Sequence, residues 1–241
     1  MNNRDIQEPV EGWVAPGLPD GAPMQGRFVR LERLHAPSHA SAIHSANLLD
    51  AAIWDYLPYG PFLQLAGYVD WVQGVQRADD PLFYAIFDQD RGDWAGVASF
   101  LRPSLPSGSI EVGHINLAAP LQQSRAATEA MYLMMKWVFE AGYRRYEWKC
   151  NAANLRSRRA AQRLGFSFEG VFRQHMIVKN RNRDTAWFAI IDKEWPKARL
   201  AFETWLAPEN FDGKGRQITA LSRLTAPIRA TSDPALDKDS L

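Results

Sequence analysis

Two stretches decide how this chain is read: Ile115–Ala130, INLAAPLQQSRAATEA, and Tyr146–Phe166, YEWKCNAANLRSRRAAQRLGF. The first runs as a strand through a short turn at Gln122–Thr128 into a helix predicted over about Ser124–Ala141, with Gly142 placed to end it in a left-handed conformation. The second is a strand over Arg145–Cys150, an Asn-bearing turn, and a basic helix over Asn154–Leu164 stopped by Gly165. A helix start that directly follows a strand aims several main-chain N–H groups one way, which is what a phosphate requires. Ala126 and Ala127 keep bulk out of that approach. The same residues also read as a Ser124-capped helix that packs Met131, Met134, Met135 and Val138 into a core.

In the second helix Ser157, Ala160, Ala161 and Leu164 recur at helical spacing and form a narrow inward stripe, while Arg156, Arg159 and Arg163 fall on another face. Asn154 suits the N-cap. Ser157 is then the polar group on the stripe, and a buried hydroxyl needs a partner. That partner is either a ligand atom or the backbone of its own turn.

Working outward, strands are predicted at Arg27–Leu34, Leu82–Phe87, Trp94–Leu101 and Ile110–Leu117, with helices at Pro37–Leu49 and Leu63–Arg77 and an aromatic loop at Trp54–Phe62. After the basic helix come a hairpin, Phe168–Val178 and Asp184–Ile191, and a helix over Lys193–Leu206. Periodicity gives an α+β fold with a mixed sheet. Residues 1–26, broken by Pro9, Pro16, Pro19 and Pro23, are read as an extended arm pinned by Trp13. The domain spans 27–206. Residues 207–241 form a polar extension whose last fifteen or so residues are expected to be disordered.

Of the 241 residues, 46% are hydrophobic and 23% charged, the composition of a globular domain with extensions. No apolar run approaches the ~20 residues of a membrane span, and Arg4, Asp5, Glu8 and Glu11 occupy the place of a signal-peptide core. The single cysteine, Cys150, rules out an intrachain disulfide or a cysteine metal cluster and points to a cytoplasmic, reducing setting. His35, His39 and His44 lack a metal-ligand pattern, so no metal is expected. The net charge of +1 hides an asymmetry: Arg144–Arg183 carries eleven Lys and Arg against Glu147 and Glu169. So local a basic zone suggests a compact anion site rather than a nucleic-acid track.

In element order and in these two motifs, the chain from about Gly26 to Trp195 resembles the GNAT N-acetyltransferases, in particular their RimJ/RimL-like branch. The resemblance implies the GNAT fold: a twisted, mixed but mostly antiparallel sheet of about seven strands flanked by helices. It also implies a V-shaped split between the fourth and fifth strands, Ile110–Leu117 and Arg145–Cys150. Acetyl-CoA is the implied cosubstrate. The acetyl group would pass to a primary amine, of a small molecule or a protein N-terminus, by direct attack in a ternary complex. The protein would be a monomer or homodimer, with no membrane partner and nucleic acid disfavoured.

By the same resemblance, the backbone of Ile115 and Leu117 holds the pantetheine arm and a nearby N–H polarises the thioester carbonyl. Gln122, Gln123, Ser124, Arg125, Ala126, Ala127 and Thr128 would cradle the pyrophosphate, with Asn154 and Ser157 beside the sulfur. The family pattern here, Gln/Arg-x-x-Gly-x-Gly/Ala, is matched at Gln122 and Ala127. Arg125 stands where the middle Gly usually is, disfavouring positive φ and adding a cation. Many members carry a Tyr one turn after Ser157; Ala161 is there instead, so protonation of the departing thiolate passes to Ser157. Glu111 is the first choice to take the amine proton and His114 the second, with His175 and Asp184 also weighed; the RimL-like carboxylate aligns with Met176 and is absent. An ion pair is the other reading of Glu111, and hairpin organisation that of Asp184. The loop Trp54–Phe62 and the hairpin stretch Arg173–Arg183 are expected to shape the acceptor pocket, lined by Trp54, Tyr56, Tyr59 and Phe62, with Asp55 meeting the ammonium. Two other classes fit the sequence: a catalytically inactive acyl-CoA-binding or regulatory module, and an RNA-binding protein using the basic zone.

Overall fold

The computed structural model describes residues 9–236. An eight-stranded sheet forms its centre: β1 (Met24–Gln25), β2 (Val29–Arg33), β3 (Leu82–Asp88), β4 (Asp93–Ser104), β5 (Ser109–Leu117), β6 (Arg145–Asn151), β7 (Ser167–Val178) and β8 (Arg181–Ile191). Their spatial order is β1-β2-β3-β4-β5-β6-β8-β7. Every neighbouring pair is antiparallel except β5 with β6. The expected seven strands are all present. The eighth, β1, lies inside the arm, where Met24 pairs with Leu31 and Gln25 with Arg30. Trp13 does pin that arm: its indole N–H donates to the Gly142 carbonyl at 3.3 Å and Arg144 lies over its ring.

Helices α1 (Ala36–Asn47) and α2 (Leu65–Val75) pack Ala40, Ile43, Tyr68 and Val72 against one face of the sheet, on Phe83, Ala85 and Val97. The opposite face holds the larger core, where α3 (Arg125–Glu140), α4 (Leu155–Arg163) and α5 (Trp195–Leu206) meet Tyr84, Phe100, Ile110, Val112, Tyr146 and Phe188. Alternation along β6 displays the division. Tyr146, Trp148 and Cys150 are buried under the helices, whereas Arg145, Glu147, Lys149 and Asn151 are half-buried on the α1/α2 face. The β7–β8 hairpin turns at Lys179–Asn180, both at positive φ, as a two-residue hairpin turn requires.

The C-terminal extension departs from the expected disorder as far as Leu236. A short helix α6 (Leu221–Thr225) buries Leu221 and Thr225, and Asp233 is fully buried beside α4. Residues 237–241 lie outside the described part. Among the described residues no helix is long and apolar enough to cross a membrane.

Candidate active site

The site is set by where β5 and β6 stop pairing. Parallel partners run from Ser109↔Arg145 to Val112↔Trp148 and end there. Beyond that point Gly113–Leu117 stay paired with β4, and Lys149–Asn151 stay paired with β8. The two strands therefore part at their C-terminal ends, in the expected wedge. Register with β4 is broken in the same place: Val97 faces Asn116 but Ser99 faces Gly113, so His114 and Ile115 together stand opposite Ala98. This is a β-bulge, and His114 takes φ +50 to make it. A bulge leaves main-chain groups out of the ladder, here on the strand that lines the wedge.

At the mouth of the wedge lies the start of α3. Ser124 caps it, accepting the Ala127 N–H at 2.9 Å, while its hydroxyl donates to the Leu121 carbonyl at 2.7 Å. The N–H groups of Arg125 and Ala126 have no acceptor inside the helix. Gln122 Nε2 donates to the Leu117 carbonyl at 3.0 Å and ties the turn to the end of β5. The residue at positive φ is Gln123, not Arg125, so an arginine at the first helical position carries no backbone strain. The Arg125 side chain is drawn aside: it pairs with Asp90 at 2.8 Å and lies over the rings of Phe28 and Phe211. Ala126 and Ala127 are buried in the core, so the open approach comes from the turn and not from their methyl groups facing outward. Thr128 is also buried; it accepts from Arg163 Nη1 at 3.2 Å and its hydroxyl donates to the Ser124 carbonyl.

On the other side of the wedge, Asn154 caps α4 by accepting the Ser157 N–H at 3.0 Å. The Trp148 indole N–H donates to Ser157 Oγ at 3.0 Å. An indole can only donate, so the serine is the acceptor there and keeps its own proton to give away. The thiol of Cys150 lies within hydrogen-bond reach of the same hydroxyl, and burial pushes that thiol up to about 11. A neutral, buried thiol is a poor nucleophile.

Glu111, His114 and Tyr59 gather on the α1/α2 face. Glu111 is buried and its Oε2 is shared by Arg102 at 2.7 Å and Lys149 at 3.0 Å. Lys149 also reaches Glu147 at 2.7 Å, and Arg145 joins Glu147 to Glu169. The His114 ring stacks on Tyr59 with centroids 5.6 Å apart. Burial first, then the Arg102 and Arg183 charges, push it down to about 4, so it is a neutral imidazole near pH 7. Its Nδ1 and the Tyr59 hydroxyl are buried and have no partner among the described residues.

The other acceptor-side candidates separate. Trp54 is sunk in the core among Tyr59, Phe62 and Tyr68 and does not line an open surface, because the aromatic loop folds back on α2. Asp55 and Tyr56 are exposed at the rim; the Tyr56 hydroxyl donates to the Ala153 carbonyl at 3.3 Å, and Lys179 reaches the Trp54 carbonyl from the hairpin tip. Asp184 organises the hairpin, accepting from the Gln174 N–H and from Asn182. His175 bonds Thr185 and packs beside Phe172 and Trp187 along the outer groove of the hairpin. His35, His39 and His44 each meet a local partner: Ser38, the His35 N–H and the Phe62 carbonyl. Sequence reasoning missed Arg102 and Lys149, whose pairing with Glu111 arises only once β4, β5 and β6 lie side by side.

Residues 29–167 match the family model described as the acetyltransferase (GNAT) domain. A GCN5-related N-acetyltransferase from Brucella melitensis is 42% identical, covers 90% of this chain and 100% of its own, and superposes with a TM-score of 0.88. A probable acetyltransferase of the GNAT family from Chromobacterium violaceum is 37% identical over 80% of this chain and 98% of its own, with a TM-score of 0.74. The RimL ribosomal L7/L12 alpha-N-protein acetyltransferase is 23% identical over 75% of this chain and 99% of its own, at a TM-score of 0.60, a likeness of fold. No curated protein matches.

Proposed function

Because the chain belongs to the GNAT acetyltransferase family, whose members transfer acetyl from acetyl-CoA, we propose that it acetylates a primary amine by direct attack within a ternary complex. The observation that carries this reading is the parting of β5 and β6 beyond Val112↔Trp148, with a bulge at His114–Ile115 and the α3 start at its mouth. The main chain of Ile115 and Leu117 holds the pantetheine arm as an added strand. The turn Gln122–Thr128 receives the pyrophosphate, with the Arg125 and Ala126 N–H groups as donors. A main-chain N–H of the bulge meets the carbonyl oxygen as it gains charge.

Ser157 protonates the departing thiolate: Trp148 engages its lone pair, and its hydroxyl hydrogen is left to donate. Proton uptake at Glu111 would remove the carboxylate that holds Arg102, so we assign Glu111 to fixing Arg102 and Lys149. The amine proton then passes to neutral His114 or through water. An α-amine, near 7.7–8.0, is already partly neutral at pH 7, and its proton grows more acidic as the nitrogen bonds carbon, so a weak acceptor serves. The bond made is N–C(O), the bond broken is C(O)–S, and the proton leaving nitrogen balances the one that reaches sulfur.

The test is thiol release with acetyl-CoA and a panel of amines, together with the product mass. Intersecting double-reciprocal lines are expected. Thiol release without amine would indicate an acyl-enzyme and contradict direct attack. Binding of acetyl-CoA with no turnover on any amine would favour the inactive module. Ser157→Ala should lower kcat about 10- to 100-fold with little change in acetyl-CoA affinity; equal losses in both would remove the acid role.

His114 also sets the pH profile. Held down to about 4, it does not titrate between pH 5.5 and 7.5. With an α-amine acceptor, log kcat/KM should therefore rise with slope one towards a plateau set by the amine. A slope of two below pH 6.5 would mean that His114 titrates at its ordinary value.

A further inference from the structure

Arg183 is a cation whose position relative to the wedge is fixed by strand register. The last residues that β6 pairs with β8 are Asn151↔Thr185. Arg183, two residues further along β8, stands beyond the end of β6 and on the face of Thr185, Trp187 and Lys149. This is also the face of Glu111, which sits opposite Glu147 across the last paired stretch of β5 and β6. Arg183 is near enough to interact electrostatically with Glu111, Cys150, Arg102 and His114, residues on both sides of the wedge.

The other cations of this face are committed. Arg102 holds Glu111, Lys149 holds Glu111 and Glu147, and Arg145 holds Glu147 and Glu169. Arg183 takes part in none of these pairs, and its Nε is buried with no hydrogen-bond partner among the described residues. A buried guanidinium N–H left unpaired is costly, and a cation without a counter-ion more so. Glu111 already gives its Oε2 to both Arg102 and Lys149, which leaves the half-buried Arg183 guanidinium open to an anion from outside the chain. A guanidinium fork matches a carboxylate in two-point geometry.

We propose that Arg183 binds a carboxylate of the acceptor, making the substrate an amine that carries a carboxylate close by. This rests on the amine-acetylating reading above. Free α-amino acids and peptides with an acidic side chain next to the N-terminus share that chemistry. A polyamine would instead bring further cations to a face that already has one unpaired.

The experiment is steady-state thiol release at saturating acetyl-CoA with amino acids, the corresponding amides, dipeptides with and without an acidic residue, and spermidine. The wild type should prefer acids to matched amides by about 10- to 100-fold in kcat/KM, the span of hydrogen bonds to a charged group. In Arg183→Met that preference should collapse towards one through a raised KM for the acids, with the KM for acetyl-CoA as in the wild type; Arg183→Lys should recover part of it. Preference confined to free amino acids, or shared by the acidic dipeptides, identifies the source of the carboxylate, and both support the proposal. Amides or spermidine turned over as well as the acids would overturn it and leave the transfer reaction standing. An Arg183→Met enzyme slowed equally on acids and amides would also overturn it. Acetyl-CoA binding with no turnover of any amine would overturn both.

Discussion

Replacing Arg125 with glutamate should weaken acetyl-CoA binding by about 30-fold, leaving the protein folded. At an effective dielectric near 20, unit charges about 8 Å apart interact by about 2 kcal/mol. Charge reversal changes two units; halved for the screening of a side chain about one-third exposed, the effect remains about 2 kcal/mol. Folding is spared because an acid in the first turn of α3 suits the helix dipole. The lost surface pair with Asp90 is worth at most about 1 kcal/mol. Calorimetric titration with acetyl-CoA, beside a thermal melt, separates the two effects. Unchanged affinity would place the diphosphate away from this helix start.

The largest stability effect belongs to the C-terminal segment. Asp233 grips Arg158 through two bonds, Nε–Oδ2 at 2.7 Å and Nη2–Oδ1 at 2.6 Å, and both side chains are buried. Arg158 Nη1 also donates to the Ala152 carbonyl, in the turn that precedes α4. Asp233→Ala strands a charged guanidinium in the interior and should destabilise the fold by about 3–5 kcal/mol in chemical denaturation. Arg158→Met combined with Asp233→Leu removes both charges and should recover most of the loss. Since Arg158 adjoins Ser157, the single variant should also loosen the end of α4 that carries the proposed acid. A loss below about 1 kcal/mol would mean that the tail merely rests on α4.

What could be read from the sequence follows from how local each signal is. Helices α3 and α4 were legible because their ends are written in adjacent residues: Ser124 and Asn154 as caps, Gly142 and Gly165 as stops, each glycine at positive φ. Strands β2 to β8 were legible from alternation and turn residues. The wedge was legible through resemblance alone, because the end of pairing at Val112↔Trp148 joins residues with no local pattern between them. Strand β1 escaped notice because two residues among prolines carry no periodicity. The ordered tail was missed because its anchors act at long range, Asp233 on Arg158 and Arg229 on the Gln162 carbonyl. Arg183 fell just ahead of the strand read from Asp184, within the stretch Arg173–Arg183 that the family likeness sets at the acceptor pocket. The hairpin turns around Asn180 as read, but in only two residues, Lys179–Asn180, so β8 begins at Arg181 and sets Arg183 beside the site.

Amide hydrogen exchange on addition of acetyl-CoA tests the central claim most directly. Protection should appear at 113–117 and 122–128, with α4 slowed at its N-terminal turn and β7 unchanged. Protection elsewhere, or no change at saturating acetyl-CoA, would contradict the assignment of the gap between β5 and β6 as the thioester site.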